Sequence, residues 1–182
     1  MKDALIASPF SADLLPEVQS FSYGTEPWEA EVGVWLCNES LRRMQEGTEV
    51  WLYMNQANQI VGFGSLGTSN WSIPKKKSPR QSVLVIPALG IRMGFKGEPS
   101  DERSAEVAND GRYSSQIMRH LVQRSRGWPE KKQFLGLCVH PENSRAVGFY
   151  AKFGSELLDY GWTDQETKVC YGRYVIPLHR GN

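Results

Sequence analysis

The chain has 182 residues, 40% hydrophobic and 23% charged, which suits one globular domain over residues 1–182 and argues against disorder or a second domain of ordinary size. A net charge of +1 gives no electrostatic reason to expect a polyanion, and Cys37, Cys138 and Cys170 lack the spacing of a zinc site or a disulfide framework. The apolar run in MKDALIASPF is too short for a signal peptide and no later segment reads as a membrane span, so a reduced, cytoplasmic setting without a membrane partner is expected.

Ala4 to Ala7 suggest a first strand, and Ala12 to Phe21 a short helix carrying Leu14, Leu15 and Val18. A longer helix is expected from Pro27 to Gln45, capped by Thr25, with Val34, Cys37, Leu41 and Met44 along one face before Gly47. Glu49 to Met54 and Ile60 to Leu66 are rich in β-formers and flank the polar NQANQ, which predicts an antiparallel hairpin; VGFGSLG then runs on towards Trp71. Lys75, Lys76, Lys77 and Arg80 read as a solvated basic loop that keeps a strand tip from pairing, with charges that could also meet a phosphate. Ser82 to Phe95 is the most continuous apolar run and predicts a central strand, in which Pro87 and Gly90 require a bulge or a splayed edge.

Lys96 to Asp110 is polar and aperiodic, and leads to a helix from Tyr113 to about Arg126 with Ile117, Met118, Leu121, Val122 and Ser125 on its buried side. Phe134 to Val139 predict a buried strand ended by His140-Pro141. A helix should follow at once, capped by Asn143 and carrying Ala146, Val147, Tyr150 and Phe153 until Gly154 stops it. Asn143 and Tyr150 are two helical turns apart, so both can face what lies beyond the end of the strand. Ser155 to Asp159 and Lys168 to Leu178 suggest two last strands.

The order V-x-x-x-N-x-x-A-x-x-x-Y-x-K-x-G, carried by Val139, Asn143, Ala146, Tyr150, Lys152 and Gly154, resembles the acyl-CoA half of the GNAT N-acetyltransferases. The resemblance implies an α/β (α+β) fold: a mixed, largely antiparallel sheet of six or seven strands, flanked by about four helices and splayed between strands 4 and 5. It implies acetyl-CoA (coenzyme A) as cofactor and an amine-bearing acceptor. Asn143 would contact the pantetheine, the Tyr150 hydroxyl would lie near the thioester sulfur as general acid, and the amides of Ile91, Arg92 and Met93 would bond the pantetheine as an added strand does. The final strands would serve a homodimer.

At the start of the Tyr113 helix the family's loop is Q/R-x-x-G-x-G/A, and only the small Ser115 matches it here. Gly111, Arg112, Tyr113, Ser114 and Ser115 could still offer amides, hydroxyls and a guanidinium to phosphates at the helix N-terminus. Ser155 stands where the family usually has Phe. The layout is also similar to that of the tRNA-acetylating GNAT toxins, which act on the α-amino group of a charged tRNA. A GNAT-like module that binds a ligand or partner without catalysis is the alternative from another class.

Acetyl transfer needs a neutral amine, and deprotonating a lysine amine at pH 7 costs about 4.6 kcal/mol against about 1 for an α-amino group. Ser82 to Phe95 contains no acid to serve as base. Either a water chain leads the proton to a carboxylate such as Glu29, Glu31 or Glu39, or the acceptor is weakly basic. Cys138 and His140 invite a thiol hydrolase, but no orienting Asn or Asp marks one. His120 and His179 read as surface residues, and Trp28, Trp35 or Trp71 could line an acceptor pocket.

Overall fold

The computed structural model describes residues 5–72, 80–97, 112–165 and 168–178. Lys75, Lys76, Lys77, Gly111, His179 and most of the acidic loop lie outside them. A short strand, β1 (Ile6–Pro9), is followed by a 3-10 turn (Ala12–Leu14) and α1 (Leu15–Val18), with Pro16 in the first turn, where its missing N–H goes unnoticed. The next helical stretch comprises α2 (Pro27–Val34), a π turn (Trp35–Glu39) and α3 (Ser40–Gln45). Its cap is Glu26 rather than Thr25, because Glu26 and Glu29 exchange hydrogen bonds in a capping box. The wide turn also moves the buried face. Leu36 and Ser40 are buried, Val32, Trp35, Leu41 and Met44 pack on the core, and Val34 points to solvent.

The hairpin forms as its pattern predicts, from β2 (Glu49–Met54) and β3 (Ile60–Trp71). Its turn is set by Asn55, whose side-chain oxygen accepts from the N–H groups of Ala57 and Gln59, and by Asn58 in the left-handed region at φ 58°. The long apolar run becomes two strands, β4 (Gln81–Ile86) and β5 (Leu89–Ile91), because Pro87 ends the first. The remaining elements are α4 (Tyr113–Arg126), β6 (Phe134–Val139), α5 (Ser144–Ala151), β7 (Glu156–Thr163) and β8 (Cys170–Pro177). The strands follow the order β1-β2-β3-β4-β6-β8-β7, with β5 paired to β3 off that path. All neighbours are antiparallel except β4 and β6. The sheet has eight strands where six or seven were expected, and the division at Pro87 supplies the extra one.

The chain divides into two compact units. Met1–Leu66 and Ala88–Leu121 form the first. Its core gathers Phe10, Val18, Tyr23, Leu36, Val50, Leu52, Ile60 and Phe63, with Trp35 stacked on Phe63 at 6.2 Å. Gly67–Pro87 and Val122–Asn182 form the second. There Trp71, Val83 and Val175 make a smaller cluster, and the Trp71 ring lies over Gly136, where a β-carbon would come within 2.7 Å of it. Trp35 and Trp71 are thus taken up by packing.

Candidate functional site

In the second unit, β6 ends at Val139 and α5 begins five residues later. Asn143 caps the helix, its side-chain oxygen accepting from the N–H of Ala146 at 3.0 Å. The amide NH2 of Asn143 is not used by that bond. After Ala151 the chain closes with Gly154 at φ 78°, and the N–H of Ser155 reaches back to the Tyr150 carbonyl. Tyr150 thereby sits in the last turn of a helix fixed at both ends. The residue is half-buried, and desolvation pushes its phenol up to about 12. No described residue hydrogen-bonds its hydroxyl. Phe149 meets its ring edge-on at 5.2 Å, which fixes the ring without engaging the oxygen.

In the first unit, the register of β5 on β3 decides which amides remain available. Arg92 and Phe63 lie at hydrogen-bonded positions: Arg92 donates to the Val61 carbonyl at 2.9 Å, and Ser65 donates to the Ala88 carbonyl at 3.1 Å. Leu89 and Ile91 face the non-bonded positions opposite Gly64 and Gly62, so their N–H groups point away from β3. Met93 donates to the Ser22 carbonyl at 2.7 Å. Of the three amides expected to receive an added strand, only that of Ile91 points outward, and Leu89 joins it. The amides of Arg92 and Met93 are consumed by long-range bonds that no local pattern announces.

Two further features hold β5 in place. Ser65 donates its hydroxyl to the Ala88 carbonyl at 2.8 Å and accepts from the Ala88 N–H at 3.0 Å, clamping the residue after the proline. Gly90 lets Tyr23, Val32 and Phe63 close on the strand, since a β-carbon there would lie 2.6 to 2.8 Å from their side chains. This close packing explains a glycine that was awkward for a strand interior.

The start of α4 is also in the first unit. The first helical N–H groups, those of Tyr113, Ser114 and Ser115, have no carbonyl within the helix to bond, and the first turn carries no acid. Ser115 is 1% exposed and its hydroxyl oxygen has no hydrogen-bond partner. An orphaned hydroxyl beside amides that have no partner within the helix is suited to an anion such as a phosphate. Tyr113 is half-buried, its ring edge-on to Phe95 at 5.9 Å, and Arg112 is exposed. Gly111 lies outside the described residues.

Two of the three acids offered as a base, Glu29 and Glu39, have other tasks. Burial alone would raise the Glu29 carboxyl, but the Lys96 ammonium and the N–H groups of Glu26 and Thr25 outweigh it and hold it below its ordinary value. Hydrogen bonding to Arg42 likewise lowers Glu39. Cys138 is exposed, yet desolvation by the surrounding protein pushes its thiol up to about 11, Arg173 opposing and Asp159 adding, which disfavours the thiolate a nucleophile needs. His120 is not a free surface residue. Its Nδ1 lies 2.7 Å from the buried Tyr53 hydroxyl, and its ring meets Trp51 edge-on at 5.3 Å. Among the described residues no helix is long and apolar enough to cross a membrane.

No family model and no curated protein matches the chain. Solved structures do. The toxin AtaT complexed with acetyl-methionyl-tRNAfMet is 13% identical with a TM-score of 0.64, over 95% of this chain and 94% of that one. AtaTR bound with acetyl-CoA is 14% identical with a TM-score of 0.61, over 98% and 95%. An acetyltransferase of the GNAT family from Staphylococcus aureus Mu50 is 12% identical with a TM-score of 0.59, over 97% and 100%. The chain has the GNAT fold.

Proposed function

We propose that this chain is a cytoplasmic N-acetyltransferase, a single catalytic domain that passes an acetyl group from acetyl-CoA to a primary amine by direct attack, without a covalent enzyme intermediate. The observation that carries this reading is Tyr150: a half-buried phenol with no described hydrogen-bond partner, on a helix that Asn143 starts directly after β6. The GNAT fold and the acetyl-CoA complex of AtaTR support it.

Acetyl-CoA supplies the acetyl thioester. The outward N–H groups of Leu89 and Ile91 suit a pantetheine as a strand edge suits a peptide, and by the family resemblance the amide of Asn143 is a further donor to it. The first-turn amides of α4, with the hydroxyls of Ser114 and Ser115 and the guanidinium of Arg112, receive the phosphates. With acetyl-CoA bound, the acetyl group would pass from sulfur to the amine nitrogen as the carbon–sulfur bond breaks, the proton shed by that nitrogen would leave to solvent, and the Tyr150 hydroxyl would donate a hydrogen bond to the departing sulfur. A phenol near 12 facing a thiol near ~8.5 makes complete proton transfer uphill by about 5 kcal/mol, so Tyr150 acts through a hydrogen bond that strengthens along the reaction. Its pKa also keeps the phenol protonated far above neutral pH, so Tyr150 adds no limb to a pH–rate profile below about pH 10.

With Glu29 and Glu39 held ionised by cations, a weakly basic α-amino group is the better acceptor: its own pKa near ~7.8 does what a strong base would otherwise have to do. That observation favours a second, narrower reading, an aminoacyl-tRNA as substrate, in keeping with the AtaT complex. The test is release of free CoA from acetyl-CoA across a panel of amines, with Tyr150→Phe as control. The expected result is turnover that favours α-amines, lowered by about 10- to 100-fold in kcat in the variant with KM for acetyl-CoA little changed. Undiminished turnover in Tyr150→Phe would remove the role assigned to the phenol.

A further inference from the structure

Arg92 is a cation that the chemistry above leaves unused. It follows β5 directly, and alternation places it on the same sheet face as Gly90, the face on which Tyr23 and Val32 pack. Its guanidinium lies 4.3 Å from the centre of the Phe21 ring and 5.8 Å from that of Phe95. Both distances are within reach of a cation–π attraction, so the group is held by two rings. The residue is half-buried, and no described carboxylate pairs with it. Three cations comparably withdrawn from solvent differ in this respect: Lys96 sits against Glu29, Lys132 against Glu130 and Arg173 against Asp159.

Among the described residues, the groups near Arg92 do not supply the missing charge. Burial raises the phenol of Tyr23 beyond its ordinary value and also raises the thiol of Cys37, so both are neutral near pH 7. Glu29 is committed to Lys96 and to the cap of α2. Rings hold a guanidinium by its face and leave its in-plane N–H donors open, and those donors form a fork that matches a carboxylate or a phosphate. The backbone N–H of Arg92 is already bonded to Val61. A strand-like ligand on the open edge of β5 lies in the plane of the sheet, whereas the Arg92 side chain rises from its face. The anion that suits Arg92 therefore belongs to the other reactant.

We infer that Arg92 is the acceptor-recognition residue, and that the amine substrate carries a carboxylate or phosphate which the ring-held guanidinium receives. The inference rests on the acetyl-transfer reading and narrows its acceptor to anion-bearing amines. Phe21 and Phe95 position the guanidinium, and Arg92 itself sets specificity.

Matched acceptors with equivalent α-amines provide the test: glycyl-glycine against glycyl-glycinamide for the carboxylate, and O-phosphoseryl-glycinamide against seryl-glycinamide for the phosphate. In wild-type protein the anionic member of at least one pair should be preferred by about 10- to 100-fold in kcat/KM. Arg92→Gln should erase that preference while acetyl-CoA affinity and turnover of the neutral member stay as they were. Arg92→Lys, which keeps a cation but not the fork, should restore part of it. Equal use of both members of each pair by wild type would overturn the inference, as would an equal loss of acetyl-CoA affinity in Arg92→Gln, which would assign the arginine to the cofactor. Should no amine be acetylated, calorimetric titration of the same four compounds into the protein separates the two failures. Arg92-dependent binding of the anionic members would then uphold the recognition role while the transfer reading fails, and its absence would end both.

Discussion

The connection from β6 to α5 is the short run His140-Pro141-Glu142-Asn143, whereas the one from β5 to α4 extends from Arg92 to Arg112. In the first case the strand, turn, cap and stop are each written in neighbouring residues, and the structure adds a bond from the Ala146 N–H to the Asn143 side-chain oxygen and an edge-on contact of His140 with Tyr171. In the second, the groups that matter, together with those of β5 that it leaves, are set by distant partners: Val61 and Ser22 take the amides of Arg92 and Met93, Ser65 clamps Ala88, and Tyr23 and Val32 close on Gly90. Candidate site residues on a locally determined unit can be read from spacing. Those on a unit assembled by tertiary contacts cannot, because hydrogen-bond register decides which donors remain.

This contrast can be broken by small changes in either region. Gly90→Ala drives a β-carbon into Val32, Phe63 and Tyr23 and should lower stability by about 1–3 kcal/mol in urea denaturation. Unchanged stability would mean that β5 is not held by close packing. Asn143→Ala removes the α5 cap and should cost about 0.5–2 kcal/mol, measured in the same way. A smaller effect of opposite sign is expected from Gly148→Ala. A β-carbon there meets nothing within 4 Å, so gaining helix propensity should stabilise the protein by about 0.5–1 kcal/mol. One methyl group would then be harmful in the tertiary unit and helpful in the local one.

The sequence is most transparent where periodicity is undisturbed. β2, β6 and α4 occupy the expected residues, and the α4 side chains Ile117, Met118, Leu121 and Ser125 are buried as their spacing predicts. The Pro27 to Gln45 stretch departs from its expected face at Val34, because a π turn shifts the phase and nothing in the residue pattern marks it. His120 looked like a surface residue on its helix, yet β2 brings Trp51 and Tyr53 to it from far away in the chain. Glu29 reads as a base candidate from the sequence, but Lys96 pairs with it. In each case the missing information is a partner from another element, and Arg92 with its two phenylalanine rings is the same kind of feature.

Thermal denaturation of the wild-type protein with increasing acetyl-CoA tests the account most directly. A ligand bound only by the native state, at a hundred times its dissociation constant, adds about 2.7 kcal/mol of stability. The account predicts a melting temperature that climbs with acetyl-CoA concentration in both wild type and Tyr150→Phe, with CoA released rapidly by the wild type alone when an α-amine is supplied. A melting temperature indifferent to millimolar acetyl-CoA would contradict it.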